Sequence, residues 1–437
     1  MVPYDVAAVR ARFPSLSRRL PDGRPVAWLD GPAGTQVPQA CLDRVVGYFE
    51  RSNTNRHGRF AASDETESML DDVHAGMAAM LGTSDVDEIS FGPNMTTLTY
   101  AISRAIGQAF EPGDEIVLTR LDHDANVAPW LAVARERQLG VRWIDIEPDD
   151  CTLKTDDLDD VIGPRTRLVA VGLASNAVGS INPVPEIAER AHAVGAHVYV
   201  DAVHAAPHIP IDVMALGADY LVCSAYKFYG PHLGVMWGRR ELLEALPAYH
   251  VRPAGDAIPH RFETGTQAHE LLAGLAGTLA HLEWIGTSQG GASGAPGDTD
   301  GRRERLVAAI TAAGHHERDV VWHLIDGLEA MDGVRVRGIT DPTRADERCP
   351  TISFEVTGRA PADVSRVLGA RGLHTWDGDY YAWELIRRLG FCNVFGRYFA
   401  FGRHRRFGTI DQCFFSFQRE HFGLGHVFPN KSSWGTP

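Results

Sequence analysis

Residues 197–202 read HVYVDA, and residues 218–227 read ADYLVCSAYK. Both runs are apolar and rich in β-branched or aromatic residues, which is typical of the buried strands of a parallel sheet. The first run delivers Asp201 and the second ends at Lys227. Because ligands of open α/β sheets bind at the carboxyl ends of the strands, we expect this acid and this lysine to meet at one edge of a sheet.

An acid and a lysine on neighbouring strands match the needs of pyridoxal phosphate. The acid keeps the pyridine nitrogen protonated, and the lysine forms a Schiff base with the aldehyde. Each residue also has an ordinary interpretation, since a lysine after a strand is usually solvated and an aspartate there often caps a turn. The hypothesis of a pyridoxal phosphate site therefore rests on the two residues together, and neither residue alone would support it.

The composition favours an enzyme that acts on small molecules. The chain has 437 residues and a net charge of −14, which disfavours nucleic acid or an anionic membrane as the main partner. We find no signal peptide pattern and no apolar run long enough to span a bilayer, so we expect a cytoplasmic protein. The six cysteines include no CxxC pair, so the sequence indicates neither a disulfide framework nor a metal site.

Two longer stretches carry a family resemblance. Residues 200–208 (VDAVHAAPH) and 223–238 (CSAYKFYGPHLGVMWG) resemble the class V aminotransferase-like enzymes of fold type I, in their cysteine desulfurase-like branch. The resemblance runs from about Phe13 to about Gly390. It implies an α/β fold with a mainly parallel sheet of the seven-stranded type in a large domain, and a small α+β C-terminal domain. It also implies pyridoxal phosphate as cofactor and a homodimer with shared active sites.

We divide the chain accordingly into four parts. An N-terminal arm spans residues 1–30, and a large cofactor-binding domain spans 31–285. A flexible Gly/Ser-rich loop is expected at 286–302, where the sequence lacks hydrophobic periodicity. The small C-terminal domain spans 303–437. Residues 234–238 (GVMWG) are expected to form the one antiparallel strand that such sheets carry.

The resemblance assigns roles to residues at the strand ends. Lys227, Asp201 and His123 are the catalytic candidates, and His123, in the run LDHDAN, resembles the histidine that stacks on the cofactor. Asn94 begins a helix whose first turn would form one wall of a phosphate cup, although it also reads as a plain N-cap. Besides the three catalytic candidates, the expected cofactor-binding residues are Met95, Thr96, Asn176, His204, Ser224, Tyr226 and Thr266, the last in a run that crosses the dimer interface.

The chain departs from the family where a desulfurase carries its sulfur-accepting cysteine. The family run resembles R-x-G-x-x-C, and here residues 376–381 read WDGDYY, so Trp376 and Tyr381 replace the arginine and the cysteine. A phenol does not accept sulfur as a persulfide. Cys392 would substitute only if the loop folded back. The candidate substrate-binding residues are Ala33, Asn176, Trp376, Tyr381, Arg397 and Arg403, with one of the two arginines binding a carboxylate.

We interpret the sequence as a carbon–sulfur lyase that eliminates a thiol from an S-substituted cysteine and leaves pyruvate and ammonia. Two other reactions on the same carbon stay open. One is a cysteine desulfurase that forms a persulfide, and the other is a decarboxylating or oxidatively deaminating enzyme that acts on a cysteine conjugate. A scaffold that binds pyridoxal phosphate without turnover is the alternative from another class, and the intact pair Lys227 and Asp201 argues against it.

Overall fold

A computed structural model describes residues 4–391 and, for the backbone alone, the strand Phe415–Ser416. The helices are α1 Val6–Arg10, α2 Gln39–Arg51, α3 Ala61–Leu81, α4 Met95–Gly107, α5 Ala128–Arg137, α6 Leu158–Val161, α7 Val184–Ala193, α8 Arg240–Ala245, α9 His269–Ser288, α10 Arg302–Glu329, α11 Pro361–Ala370 and α12 Trp383–Arg388. The strands are β1 Ala27–Trp28, β2 Ile89–Gly92, β3 Glu115–Thr119, β4 Gly140–Ile144, β5 Ile146–Glu147, β6 Thr152–Leu153, β7 Thr166–Gly172, β8 His197–Asp201, β9 Tyr220–Ser224, β10 Gly234–Gly238, β11 Val334–Arg337, β12 Ser353–Val356, β13 Leu373–His374, β14 Trp376–Asp377 and β15 Phe415–Ser416.

A seven-stranded sheet forms the centre, in the order β2-β10-β9-β8-β7-β3-β4. Strand β10 runs antiparallel to both of its neighbours, and the other pairs are parallel. The predicted α/β fold with a mainly parallel sheet is confirmed, including the single antiparallel strand at 234–238. Every residue of β9 and β10 is buried, because helices cover both faces at the centre of the sheet.

The two faces of the sheet pack into separate apolar clusters. On one face Trp237 and Phe228 pack with residues of α3 and α9. On the other face Trp130 of α5 meets Tyr199 of β8 edge to face, with ring centroids 5.0 Å apart. This arrangement fixes β8 and β9 side by side, so their carboxyl ends open at the same edge of the sheet.

The C-terminal part of the described chain is built on the antiparallel pair β11–β12. Val321 and Ile325 of α10 and Phe354 of β12 share an apolar cluster with Leu368 of α11. Strand β1 pairs in parallel with β13, so the N-terminal segment is tied to this part of the chain. Among residues 4–391 we find no helix with the length and apolar character needed to cross a membrane.

The loop predicted at 286–302 is shorter than expected. Helix α9 continues to Ser288, and α10 begins at Arg302. Gly286 explains part of the difference, because a Cβ there would lie 2.0 Å from the backbone oxygen of Arg305. This glycine serves the close approach of two helices, whereas its position in a Gly-rich run suggested a flexible loop.

Candidate active site

One cavity gathers most of the predicted site residues at the carboxyl edge of the sheet. It is bounded by the ends of β3, β7, β8 and β9 and by the N-terminus of α4. The residues that line it, called the cofactor cavity below, are Asn94, Met95, Thr96, Asp122, His123, Ala125, Gly172, Ala174, Asn176, Asp201, Val203, His204, Ser224, Tyr226 and Lys227. Nine of the ten expected cofactor-binding residues are in this set, and Thr266 is not.

The acid and the lysine reach the cavity from adjacent strands. Asp201 is the last residue of β8, is buried, and accepts a hydrogen bond from the backbone N–H of Val203 at 2.8 Å. Strand β9 ends at Ser224, earlier than predicted, so Lys227 follows in a 3₁₀ turn and donates to the carbonyl of Pro32. The periodicity of the sequence does not distinguish this turn from a continuation of the strand.

Burial changes the acidity of both groups. It raises the pKa of Asp201 to about 6, although the Val203 hydrogen bond and the positive charge of Lys227 act in the opposite direction. Burial lowers the pKa of Lys227 to about 8, although the Asp201 carboxylate acts to raise it. The lysine therefore loses its proton more easily than a solvated lysine, as a nucleophilic amine requires.

His123 lies between the end of β3 and α5. Its Nδ1 accepts a hydrogen bond from the backbone N–H of Ala125 at 3.0 Å, so the ring caps a short 3₁₀ turn. Burial, followed by the charge of Lys227, lowers the pKa of His123 to about 4. The imidazole is therefore neutral at pH 7 and presents a flat, uncharged ring to the cavity.

The N-terminus of α4 is fixed by two side chains. Asn94 caps the helix, with its Oδ1 accepting from the backbone N–H of Thr97 at 2.8 Å. The hydroxyl of Ser224 accepts from the backbone N–H of Met95 at 3.0 Å, which ties β9 to the helix. The exposed Thr96 lies in the same first turn, where its backbone N–H, its hydroxyl and the helix dipole favour an anion.

Asn176 and His204 connect the cavity to the C-terminal part of the chain. The Nδ2 of Asn176 donates to the carbonyl of Tyr380 at 2.8 Å, and its buried Oδ1 has no hydrogen-bond partner among the described residues. The Nε2 of His204 lies 2.8 Å from the hydroxyl of Thr351. Burial and the charges of His208 and Lys227 lower the pKa of His204, which keeps this ring neutral as well.

Of the substrate-binding candidates, Asn176 lines the cavity. Tyr381 stacks on His123 and leaves 68% of its surface exposed. Trp376 is exposed in β14, and Ala33 is exposed in the turn after β1; neither lines the cavity. Thr266 is also exposed, ahead of α9. Cys392, Arg397 and Arg403 lie outside the described residues.

The sequence interpretation missed two groups that shape the cavity. Buried Asp122 accepts from the backbone N–H of Gly172 at 2.8 Å and from the Nδ2 of Asn126 at 2.9 Å, and burial raises its pKa to about 7. Its position beside His123 at a strand end was the available signal. The carbonyl of Pro32, which accepts from Lys227, gave no signal because any residue supplies a backbone carbonyl.

No cysteine within residues 4–391 reaches the cofactor cavity. Cys41, Cys151, Cys223 and Cys349 are all buried as free thiols. Burial raises the pKa of each, to about 11 for Cys151, so the reactive thiolate is disfavoured.

The lining of the cavity fits pyridoxal phosphate. It offers an amine of lowered pKa for the aldehyde, a buried carboxylate for the pyridine nitrogen and a neutral imidazole for the ring. The N-terminus of α4 offers the helix dipole and the backbone N–H and hydroxyl of Thr96 for the phosphate. The unpartnered Oδ1 of Asn176 leaves one buried acceptor open to a ligand.

Comparisons with known proteins show which family and relatives the chain resembles. The aminotransferase class-V family model matches residues 27–294. A probable cysteine desulfurase of Streptomyces coelicolor is 32% identical over 406 residues, which cover 88% of this chain and 90% of that protein. A cysteine desulfurase of Dickeya dadantii is 34% identical over 405 residues, which cover 89% of this chain and 90% of that protein.

Solved structures show the same fold. A cysteine desulfurase from Thermococcus onnurineus has a TM-score of 0.78 at 22% identity, with 96% of this chain and 95% of that chain covered. A cysteine desulfurase from Escherichia coli has a TM-score of 0.76 at 23% identity, with 97% and 96% covered.

Proposed function

Because the chain belongs to the class V aminotransferase family, in its cysteine desulfurase-like branch, and its cofactor is pyridoxal phosphate, we propose that it cleaves the carbon–sulfur bond of cysteine or of an S-substituted cysteine. When bound, the cofactor accepts electrons from the substrate Cα, which allows a proton to leave Cα and a thiolate to leave Cβ. The observation that carries the proposal is the meeting of Lys227, Asp201 and His123 in one cavity.

Each of these residues has a distinct task in the proposal. Lys227 would hold the cofactor through its aldehyde, and its amine, which has a lowered pKa, is suited to take the proton from the substrate Cα. Asp201 holds a proton on the pyridine nitrogen. His123 would present a neutral imidazole to the ring. The first turn of α4, with Thr96, binds the phosphate.

Two fates of the sulfur remain as candidates. The names of the relatives favour a cysteine desulfurase, in which a protein thiolate receives the sulfur, and they do not confirm the elimination predicted from the sequence. The described part of the site favours elimination, because Tyr381 stands beside His123 and no cysteine of residues 4–391 lines the cavity. Elimination needs a thiolate that leaves, and it needs no acceptor cysteine.

The two candidates differ in where the sulfur is found after turnover. The protein is incubated with cysteine and with a panel of S-substituted cysteines, and pyruvate, free thiol, sulfide and carbon dioxide are assayed separately. Peptide masses are then searched for the gain of one sulfur atom. Elimination gives equimolar thiol and pyruvate, with no mass gain on any peptide. A persulfide on Cys392, with activity lost in Cys392→Ser, identifies a desulfurase instead. Carbon dioxide without pyruvate identifies the decarboxylating reaction.

The proposal includes a homodimer. Helix α2 exposes Leu42, Val46 and Phe49, which share one face by their spacing, although apolar side chains on a helix face are usually covered. A second copy of the chain would cover this face, and the exposed Thr266 would then be available to a neighbouring cofactor site. Sedimentation analysis of Val46→Glu tests this: a monomer is expected for the variant and a dimer for the parent. A parent that sediments as a monomer contradicts the proposal.

A further inference from the structure

We propose that the turn formed by Tyr380 and Tyr381 positions His123 and Asn176 of the cofactor cavity, and that Tyr381 is a positioning residue that acts through His123. Family membership does not supply this role, because these residues stand where a desulfurase has its acceptor loop. The inference deepens the proposed function, since it explains what this loop does when it carries no cysteine.

The turn contacts the cavity at three points. The ring of Tyr381 lies on the imidazole of His123, with centroids 5.4 Å apart and planes inclined by 26°. The backbone N–H of Asp124 donates to the carbonyl of Tyr381 at 2.6 Å. The Nδ2 of Asn176 donates to the carbonyl of Tyr380 at 2.8 Å. The turn therefore bridges the loops that follow β3 and β7, each of which supplies a cavity side chain.

The backbone of the turn adopts a conformation that these residues disfavour. Tyr380 and Tyr381 have φ values of 52° and 57°, in the left-handed region that is unfavourable for residues with a Cβ. Local hydrogen bonds hold this shape: the N–H of Tyr381 donates to the Oδ1 of Asp379 at 3.0 Å, and the hydroxyl of Tyr380 donates to the carbonyl of Trp376 at 2.9 Å. Two consecutive unfavourable residues persist only where the surroundings require them, and such positions cluster at functional sites.

The stack determines which surface of His123 is free. Tyr381 covers one face of the imidazole, so a bound aromatic ring meets the opposite face. The Nδ1 atom accepts a hydrogen bond from the N–H of Ala125. Rotation of the imidazole about its bond to Cβ would break this hydrogen bond. Tyr381 thus fixes the plane of His123 from outside the cavity. Likewise, the carbonyl of Tyr380 fixes the amide of Asn176, whose buried Oδ1 is left as its unpartnered acceptor among the described residues.

The test compares Tyr381→Ala with Tyr381→Phe in the protein with its cofactor bound. Two readouts are used, neither of which needs turnover: the visible circular dichroism of the bound cofactor, and the rate at which diethylpyrocarbonate modifies His123, followed by peptide mass. In the Ala variant the bound cofactor is expected to lose most of its visible dichroism. Diethylpyrocarbonate is expected to modify His123 several-fold faster than in the parent. The Phe variant is expected to match the parent in both, because the stack needs the ring and not the hydroxyl.

Further variants separate positioning from a general structural effect. Tyr249→Ala removes another exposed tyrosine, outside the cavity lining, and is expected to leave both readouts unchanged. Asn176→Ala removes the donor to the turn and is expected to accelerate modification of His123, although it leaves the stack residues intact. If Tyr381→Ala does not fold, Tyr381→Leu, which keeps bulk without an aromatic face, is measured in its place. Parent-like dichroism and modification in the Ala or Leu variant would overturn the inference. If the parent does not cleave the carbon–sulfur bond of any substrate tested, the proposed function is refuted, whereas the dichroism and the modification rate still test the inference.

Discussion

The Nε2 of His204 lies 2.8 Å from the hydroxyl of Thr351, and both residues are buried. His204 lines the cofactor cavity, and Thr351 leads into β12, so this hydrogen bond joins the cavity to the C-terminal part of the chain. The carbonyl of Thr351 is held in turn by the buried guanidinium of Arg348 at 2.6 Å. The position of the histidine ring therefore depends on a segment almost 150 residues further along the chain.

Thr351→Val removes this hydrogen bond with little change of volume. We expect a loss of about 1–3 kcal/mol in the free energy of unfolding, because the buried Nε2 of His204 is left without a partner. The cofactor should also dissociate faster, since the ring is no longer held. Urea unfolding and dialysis against a cofactor-free buffer measure the two effects. Thr351→Ser keeps the hydroxyl and is the control; equal losses in both variants would contradict the role of the hydrogen bond.

Lys227→Ala should abolish the covalent attachment of the cofactor and all turnover. The chain contains only three lysines, Lys154, Lys227 and Lys431, so a borohydride-reduced adduct is mapped to one of them by peptide mass without ambiguity. Lys154→Ala is the matched control, since this lysine is paired with Glu147 outside the cavity lining. An adduct that persists in Lys227→Ala would refute the site assignment.

The pairing of β8 and β9 was predictable because their apolar runs and polar ends are local features of the sequence. The same holds for Asn94, whose capping role depends on its own helix. Other features depend on contacts between distant segments, which no local pattern encodes. The stack of Tyr381 on His123 joins residues 258 positions apart (381 − 123), and Thr351 meets His204 from the segment that precedes β12. The substitution at Tyr381 was visible in the sequence, whereas its contact was not.

Arg305→Ala should destabilise the fold strongly. Arg305 donates to Glu283 at 3.0 and 2.8 Å, Arg302 donates to the same carboxylate at 3.0 Å, and the side chains of Glu283 and Arg305 are fully buried. Removal of one cation leaves a buried carboxylate only partly compensated, which costs about 3–5 kcal/mol. The free energy of unfolding is measured in urea.

Arg366→Ala is the control for this prediction. Arg366 pairs with Asp363 on the surface of α11, where both side chains are mostly exposed. Such pairs contribute at most about 1 kcal/mol. If the two variants were equally stable, the cluster around Glu283 would not contribute to the stability of the α9–α10 junction.

Asp201→Asn should bind the cofactor and lose most of the rate. An amide does not stabilise a proton on the pyridine nitrogen, and loss of one well-placed electrostatic group costs about 3 kcal/mol, or roughly a hundredfold in kcat. Asp122→Asn is the comparison, because Asp122 is equally buried but its oxygens already accept from Gly172 and Asn126. We expect a smaller loss there. A smaller loss in Asp201→Asn than in Asp122→Asn would reassign the acid.

The attachment of the cofactor should depend on pH through Lys227. Burial lowers the pKa of this lysine from 10.5 to about 8, and only the neutral amine attacks an aldehyde. The rate of reconstitution of cofactor-free protein should therefore rise with pH, with a midpoint near pH 8.

The stability of the cofactor-free protein should also depend on pH through Lys227. The unfolded chain keeps the proton of this lysine up to about pH 10.5, so between pH 8 and pH 10.5 the folded state binds fewer protons and gains stability as the pH rises. Stopped-flow absorbance follows the first effect, and urea unfolding of the cofactor-free parent against Lys227→Met follows the second. A reconstitution midpoint near pH 10, or a stability difference that does not change with pH, would show that Lys227 is solvated.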